Sequence, residues 1–134
     1  MPFVLDASVT LAWALTDEDD PRADRAFASV RTDSAVVPAL WWFEIRNSLL
    51  TAERRSRLSI ADVTRFLGDL DRLPIAIDRD PDDSLVLSVA RRRRLTVYDA
   101  AYLELALRRA LPLTTLDRQL AAAAHAEGVE LLTA

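Results

Sequence analysis

The chain has 134 residues, of which 51% are apolar and 28% are charged, a balance typical of one globular domain rather than of a disordered segment. It contains no cysteine and only one histidine, His125, which excludes a disulfide framework, a thiolate metal site, a cysteine nucleophile and a histidine pair. All 17 basic residues are arginine, so mechanisms that need a catalytic lysine are excluded as well. Any chemistry must therefore depend mainly on oxygen ligands.

The sequence also gives expectations about location. The net charge of −4 provides no overall electrostatic attraction to nucleic acid or to an anionic membrane. No stretch approaches the roughly 20 apolar residues of a membrane span. The N-terminus has no basic leader, and Asp6 interrupts its apolar run. We therefore expect no signal peptide, no membrane association and a cytoplasmic location.

Short apolar runs alternate with amphipathic stretches along the chain. The apolar runs predict buried strands at 3–5, 35–37, 75–77, 112–114 and 130–132. The stretches between them predict helices near 7–16, 21–31, 39–56, 59–72, 81–94, 97–110 and 117–127. Strands separated by helices form βαβ units, which build a parallel sheet with helices on both faces. The expected fold is therefore α/β, with one domain over 1–134 and ligands at the carboxyl ends of the strands.

Asp6 stands in "FVLDASV", where a predicted buried strand ends and a helix begins. The carboxylate has two interpretations at this position. It can be the N-cap of the helix that begins near Ala7 and accept backbone N–H groups, or it can belong to a ligand site at the carboxyl end of the strand. Ser8 can serve either purpose.

A narrow polar stripe runs along the helix predicted from "ALWWFEIRNSLLTAERR". Its members are Glu44, Asn47 and Thr51, which are spaced i, i+3, i+7. Large apolar residues flank the stripe, with Trp41 on one side and Phe43 on the other. A solvated stripe is one interpretation, but a helix with apolar residues on both sides has little surface left for water. Glu44 is therefore a candidate site residue.

Asp99 falls on the inward stripe of the helix predicted from "LTVYDAAYLELALRRA", together with Tyr102 and Leu103. A carboxylate on this stripe requires a partner, because an unpaired ionised group is costly to bury. The alternative is a capping box with Thr96 as N-cap and Asp99 three residues on, although that box prefers Glu or Gln. The outward stripe of the helix is predicted to contain Ala101, Glu104 and Arg108.

Asp117 repeats the position of Asp6, because it follows a predicted strand and precedes a helix in "PLTTLDRQLAAAA". N-capping is again the alternative interpretation. If the strand continues, Thr115 points the same way as Asp117. A parallel sheet can bring Asp6, Asp99 and Asp117 to one edge, so these carboxylates are expected to lie together.

Clustered carboxylates repel one another unless something neutralises them, and the chain has no lysine or histidine set that could do so. A bound divalent cation is the simplest neutralising partner. All-oxygen ligands select Mg²⁺ or Mn²⁺ over softer metals. Because Mg²⁺ keeps waters and binds substrate phosphates, these residues predict metal-assisted phosphoester hydrolysis without indicating the substrate.

At these same residues the chain resembles PIN-domain proteins, and specifically the VapC ribonuclease toxins of bacterial toxin–antitoxin pairs. The matching stretches extend over nearly the whole chain, in the order and with the spacing of the family. They are "VLDASV" (4–9), "PALWWFEIRNSLL" (38–50), "LTVYDAAYLELA" (95–106) and "LPLTTLDRQLAAAA" (111–124). The succession of "YDAAYLELA" and "LTTLDRQL" is the most specific part of the match.

The resemblance implies a compact α/β/α fold with a short central parallel sheet and an acidic pocket at one edge. It implies Mg²⁺- or Mn²⁺-dependent endonucleolytic cleavage of RNA, in which a metal-activated water attacks phosphorus and leaves 5′-phosphate and 3′-hydroxyl ends. No protein side chain is expected to be an obligatory general base. The implied catalytic and metal-binding residues are Asp6, Glu44, Asp99 and Asp117, with Ser8, Asn47 and Thr115 as polar support.

The resemblance also implies two protein partners. One is a cognate VapB-type antitoxin, whose C-terminal segment commonly blocks the pocket in this family, often with a basic residue near the carboxylates. The other is a second copy of the chain, and the aromatic and apolar residues within 39–50 and 59–70 would suit such a homodimer.

Three further features have less specific interpretations. The run "ARRRR" before "LTVYDA" is either a solvated helix end, since cations suit helix C-termini, or a phosphate contact along an RNA strand. The acidic run "TDEDD" (16–20) is interpreted as a solvated loop. Trp41 and Trp42 are expected in the core or an interface rather than as base-stacking platforms, and His125 is given no catalytic role.

Two other enzyme classes place acidic residues at the ends of parallel strands, and composition excludes both. Response-regulator receiver domains need a lysine that pairs with the phosphoryl group, and haloacid-dehalogenase-like phosphatases use a lysine and a second aspartate where this chain has Ser8. The alternative that remains is a non-catalytic module of the same fold that binds RNA or a protein partner.

Overall fold

A computed structural model describes residues 1–15 and 20–132 of the chain. The acidic run that the sequence predicts as a solvated loop falls at 16–20, so all of it except Asp20 lies outside the described residues. The strands are β1 (Phe3–Leu5), β2 (Ala35–Pro38), β3 (Ile75–Asp78) and β4 (Leu113–Thr114). The helices are α1 (Ala7–Ala14), α2 (Pro21–Asp33), α3 (Leu40–Arg54), α4 (Ile60–Leu70), α5 (Asp83–Arg93), α6 (Val97–Arg109) and α7 (Arg118–Ala126).

The four strands form one parallel sheet in the order β3-β2-β1-β4. The central strand β1 pairs with β2 through Val4 and Val36 and with β4 through Val4 and Leu113. Because all four strands run the same way, their carboxyl ends meet at one edge of the sheet. The predicted α/β fold with a parallel sheet and flanking helices is confirmed.

The fifth predicted strand, 130–132, is wrong as a strand. The segment makes only an isolated parallel bridge between Leu131 and Leu113, with Leu113 N donating to Glu130 O and Leu132 N donating to Leu113 O, both at 2.9 Å. The neighbouring strand β4 is two residues long because the chain leaves the sheet to begin α7.

Side-chain caps set several helix starts and shift them slightly from the predicted bounds. Pro21 begins α2 after Asp20, whose side chain accepts from Arg22 N. Ser59 and Asp62 form a reciprocal capping box at the start of α4. Asp82 caps α5, so this helix begins at residue 83 rather than 81. None of the helices in the described part of the chain has the length and apolar character that a membrane crossing requires.

The core lies between the sheet and the helices, and the strands β1 and β2 are fully buried. The two adjacent tryptophans of α3 separate. Trp41 is in the core, where its indole N–H donates to Thr10 Oγ1 at 3.0 Å. Trp42 is 42% exposed, and its ring lies edge-on to Phe43 with the Arg46 guanidinium 3.9 Å from its centroid.

The predicted outward stripe of α6 is wrong at Glu104, which is only 1% exposed. The helix packs against α5 on that side and against β1 and β2 on the other, so little of its surface faces water. Glu104 is accommodated because Arg108 Nε donates to its Oε2 at 2.6 Å and Asp82 N donates to the same oxygen at 3.0 Å. Arg108 also donates to Asp78 at the end of β3, at 2.8 and 3.2 Å.

Candidate active site

Asp6 lies directly after β1, at the carboxyl edge of the sheet, and its side chain is 5% exposed. It occupies the N-cap position of α1, but within the described residues its side chain makes no capping hydrogen bond. Asp6 Oδ2 instead accepts from Ser8 Oγ at 2.6 Å and from Thr115 Oγ1 at 2.7 Å. The carboxylate is therefore held mainly by two hydroxyl groups and does not act as the side-chain cap of α1.

The same two hydroxyl groups fasten Asp6 to the connection between β4 and α7. Ser8 Oγ accepts from Leu116 N at 3.0 Å, and Thr115 Oγ1 accepts from Asp117 N at 3.0 Å. Each hydroxyl thus donates to the carboxylate and accepts from a backbone N–H of the β4–α7 connection, which lies more than 100 residues from Asp6 in the sequence. This arrangement fixes the orientation of Asp6 relative to Asp117.

Glu44 reaches the same edge from α3. Its Oε1 accepts from the Tyr102 hydroxyl at 2.6 Å, and Tyr102 is completely buried in α6. The predicted polar stripe of α3 is therefore not uniformly solvated: Glu44 is half-buried and has a buried donor, whereas Asn47 is exposed. The Asn47 carbonyl accepts from Thr51 Oγ1 at 3.0 Å, and no described contact ties its side chain to the carboxylates.

Asp99 and Asp117 lie at the starts of α6 and α7. Thr96 is the N-cap of α6 and accepts from Asp99 N at 3.1 Å, which is one half of the predicted capping box. In the described structure the Asp99 carboxylate does not return the bond. Asp117 caps α7 by accepting from Leu120 N at 3.0 Å, so its capping interpretation is confirmed. A carboxylate has a second oxygen, and capping leaves that atom free for another ligand.

Electrostatic repulsion acts among the four carboxylates. Burial raises the pKa of Asp6, and the negative charge of Asp117 raises it further against the lowering effect of the Ser8 and Thr115 hydrogen bonds. Burial also raises the pKa of Glu44, with added repulsion from Asp6 and Asp99. The pKa of Asp99 is raised by burial, by Asp117 and by Asp6. No arginine contributes to any of these three shifts.

The donor set fits a hard divalent cation. It consists of carboxylate oxygens supported by hydroxyl groups, which is the ligand chemistry that Mg²⁺ and Mn²⁺ prefer. The geometry is open: among residues 1–15 and 20–132 no group of three acidic or histidine side chains is arranged so that it could hold a metal ion. An open arrangement is compatible with Mg²⁺, which usually keeps several waters and binds through one or two carboxylates together with substrate phosphates.

Tyr102 is a site residue to which sequence reasoning gave no role. The only sequence signal for such a role was the helical pattern, which placed Tyr102 on the same inward stripe as Asp99. Its bond to Glu44 joins residues 58 positions apart, and no local pattern in either helix shows that their side chains meet.

Comparisons with known proteins agree with this fold. The PIN domain family model matches residues 3–133, so the chain belongs to the PIN domain family. Ribonuclease VapC3 from Pyrobaculum aerophilum is 31% identical to it over 124 residues, which cover 90% of this chain and 93% of that protein. The predicted family resemblance is confirmed.

Two crystal structures resemble the chain. PAE2754 from Pyrobaculum aerophilum superposes with a TM-score of 0.73 at 27% sequence identity, covering 92% of this chain and 84% of that one. FitAcB from Neisseria gonorrhoeae superposes with a TM-score of 0.67 at 16% identity, covering 98% of this chain and 96% of that one. The second likeness concerns the fold alone.

Proposed function

We propose that this chain is an endoribonuclease that hydrolyses RNA phosphodiester bonds with the help of Mg²⁺ or Mn²⁺. The observation that carries the proposal is the set of carboxylates at one sheet edge with raised pKa values and no arginine among their causes. Such a set favours a cation from solution over protonation near neutral pH. The similarity to Ribonuclease VapC3 supports RNA as the substrate class.

In this proposal Asp6, Glu44, Asp99 and Asp117 hold the metal. When bound, the metal supplies an activated water and stabilises negative charge on the scissile phosphate. The other residues maintain the geometry: Ser8 and Thr115 fix Asp6, and Tyr102 holds Glu44. Asn47, one helical turn after Glu44, is exposed and available to contact substrate.

We assign no obligatory general base to a protein side chain. The chain has no lysine, and His125 lies in the last turn of α7, at the end of that helix away from Asp117. The proposal uses the carboxylates at the edge as metal ligands. Proton transfer from the attacking water is therefore left to the solvent and the substrate phosphate.

We further propose that the chain acts as the cytoplasmic toxin of a toxin–antitoxin pair, with a VapB-type antitoxin as its partner and a homodimer as its assembly. The family membership and the similarity to a VapC ribonuclease support this proposal. Exposed apolar side chains on α3 and α4 supply a surface that suits a protein partner; they include Phe43, Leu50 and Ile60.

The first experiment is cleavage of a mixed RNA pool by purified, antitoxin-free protein in Mg²⁺, Mn²⁺ or EDTA. Asp99→Asn is the test variant, and Asp83→Asn, an exposed acidic residue in the first turn of α5, is its matched control. We expect metal-dependent cutting by the wild type and by Asp83→Asn, and loss of cutting in Asp99→Asn. Cutting that survives both EDTA and Asp99→Asn would point to a contaminating nuclease.

Calorimetric titration with Mn²⁺ separates the enzyme from a non-catalytic RNA- or protein-binding module. The proposed enzyme binds the metal, and Asp99→Asn weakens this binding while Asp83→Asn does not. Absence of any metal binding by folded wild-type protein, together with absence of cleavage, would overturn the proposed function and favour the binding module.

A further inference from the structure

The arginine run Arg91–Arg94 divides into residues with and without ion-pair partners. Arg92 and Arg93 both bind Glu127 after α7, with their Nε atoms donating at 2.8 and 2.6 Å. Within the described residues, Arg91 and Arg94 have no ion-pair partner. The run is therefore not a uniformly solvated helix end: the middle arginines bind Glu127 at the end of α7, and Arg94 is exposed.

Arg94 lies next to the first turn of α7, beside the acidic edge, which is the carboxyl edge of the sheet with Asp6, Glu44, Asp99 and Asp117. It ends α5 in the left-handed conformation, with φ of 55°, and its carbonyl oxygen accepts from Gln119 Nε2 at 3.2 Å. Gln119 is in the first turn of α7, where it follows Arg118 and the site residue Asp117. Arg118 is also exposed, and it too has no ion-pair partner among the residues that the structure describes.

Tyr98 directly precedes the site residue Asp99 and is 66% exposed. In the described structure its hydroxyl makes no hydrogen bond and its ring makes no aromatic contact. Tyr102, one turn later in the same helix, is completely buried and bound to Glu44. Packing in the core therefore explains why position 102 is aromatic, whereas the ring of Tyr98 contributes little to the core. Val97 beside it is half-exposed as well.

We propose that Tyr98 is a stacking platform for a base of the RNA strand at the acidic edge, and that Arg94 and Arg118 contact the phosphates on either side. This inference rests on the proposed ribonuclease function. Single-stranded RNA is bound through such pairs of features, because every base has a face that an aromatic ring can stack on and every nucleotide carries a phosphate. The exposed arginines favour an anionic occupant, in contrast to the apolar surface around Phe43 on α3.

The test separates stacking from simple apolar contact. Once the wild type has cut the RNA pool and a cleavage site has been mapped, a short labelled oligonucleotide spanning it is bound to protein in the Asp99→Asn background, and the dissociation constant is measured by fluorescence anisotropy. We expect Tyr98→Phe to bind within about twofold of the parent. We expect Tyr98→Leu and Tyr98→Ala to bind roughly 5- to 150-fold more weakly, the range that loss of one stacked base corresponds to.

Two additional measurements sharpen the assignment. An oligonucleotide that lacks the stacked base should bind the parent protein as weakly as the intact oligonucleotide binds Tyr98→Ala. Binding of the base-free oligonucleotide to Tyr98→Ala should be no weaker than either of these, because the stacking contact is already lost. Arg94→Gln and Arg118→Gln should each reduce the slope of log affinity against log salt by about 0.7. Arg31→Gln, an exposed arginine in the last turn of α2, should leave that slope unchanged.

The outcomes distinguish this inference from the function on which it rests. If the wild type cuts no RNA and binds no metal, the proposed function fails and the platform fails with it. If the wild type cuts RNA but Tyr98→Leu and Tyr98→Ala bind as tightly as the parent, the nuclease stands and the platform is wrong. Binding by Tyr98→Leu equal to that by Tyr98→Phe would likewise overturn stacking.

Discussion

Two regions of this molecule gather carboxylates, and they treat the negative charge in opposite ways. In the first, Glu104 and Asp78 share Arg108, whose guanidinium donates to Glu104 at 2.6 Å and to Asp78 at 2.8 Å, and Arg109 lies 3.7 Å from Asp78. In the second, the acidic edge around Asp6, hydroxyl groups from serine, threonine and tyrosine are the side-chain donors.

The carboxyl groups of the two regions have pKa values shifted in opposite directions. Hydrogen bonding to Arg108 lowers the pKa of Asp78, whereas burial raises the pKa of Asp6 and Asp99. Both regions use residues of α6, so the same helix carries a carboxylate with a counter-ion and a carboxylate without one. The fold therefore contains arginines that neutralise buried acids, but among the described residues no arginine pairs with Asp6, Glu44 or Asp99. That edge is suited to a cation from solution.

The largest expected effect is the loss of activity when the acidic edge loses a ligand. We expect Asp6→Asn to reduce metal-dependent RNA cleavage by roughly a thousandfold, since the metal contributes several kcal/mol to the reaction. The free energy of unfolding in EDTA should not fall, because the substitution removes a carboxylate whose ionised form is disfavoured by burial and, to a smaller extent, by the charge of Asp117. Cleavage assays and urea unfolding measure the two quantities, with Asp83→Asn as control. A parallel loss of stability would assign Asp6 a structural role.

Removing the arginine from the first region, around Glu104 and Asp78, should lower stability instead. We expect Arg108→Met to lower the free energy of unfolding by about 3 kcal/mol, because it leaves Glu104 buried without a counter-ion. The double variant Glu104→Leu, Arg108→Met should recover most of the loss. Arg65→Met is the control, since Arg65 is exposed and lies 3.6 Å from Asp62 in a surface pair. Equal stability of the single and double variants would contradict this account.

The pH dependence should have opposite signs for carboxylates with and without arginines. Arg92 and Arg93 lower the pKa of Glu127 to about 2 from its ordinary value of 4.5. Its stabilising effect is therefore present above pH 4.5 and is lost as the pH falls towards 2. We expect Glu127→Gln to lower the free energy of unfolding by about 1–2 kcal/mol at pH 7, with the difference shrinking over that window.

Asp99 provides the opposite case in EDTA. Because its pKa is raised above the ordinary value of 3.8, its ionised form destabilises the fold, and this effect appears as the pH rises through the raised pKa. Asp99→Asn should therefore be at least as stable as the wild type at pH 7, and the two should converge below pH 3.8. Unfolding curves across this range check both signs, and two differences of the same sign would contradict the comparison.

Removing the donor to Glu44 should have a smaller effect. We expect Tyr102→Phe to lower the free energy of unfolding by about 1 kcal/mol, because one hydrogen bond is lost while the ring still fills its site. Mn²⁺ binding measured by calorimetry should weaken severalfold, because Glu44 loses its fixed orientation. Tyr98→Phe in the same helix is the control and should change neither quantity. Unchanged Mn²⁺ affinity in Tyr102→Phe would remove Tyr102 from the site.

The smallest effect is expected at Thr114, whose Oγ1 is buried and, among described residues, has no hydrogen-bond partner. We expect Thr114→Val to leave the free energy of unfolding unchanged or to raise it by up to about 1 kcal/mol. Thr115→Val at the next position should instead reduce cleavage, because Thr115 Oγ1 donates to Asp6. Chemical unfolding and cleavage assays distinguish the two threonines. A loss of stability in Thr114→Val would mean that its hydroxyl has a partner.

Local patterns in the sequence were sufficient for the sheet and for the candidate positions. Short apolar runs predict strands because a strand buried on both faces has no polar side, and four of the five predicted strands are present. Asp6 and Asp117 were found because each follows a strand. The same patterns could not decide whether each aspartate is a cap. Asp117 caps α7 and Asp6 does not cap α1, since two hydroxyl groups already bind its carboxylate.

The sequence by itself determined the available chemistry. Without cysteine or lysine, and with one histidine, only oxygen ligands and arginines remain, and the spacing of apolar runs places several acids where strands end. The tertiary structure alone decided which acids receive an arginine. Arg108 and Asp78 are 30 residues apart, and Ser8 and Thr115 are 107 residues apart. Such neighbours meet only when the sheet and helices pack, so no local periodicity encodes which carboxylates are neutralised.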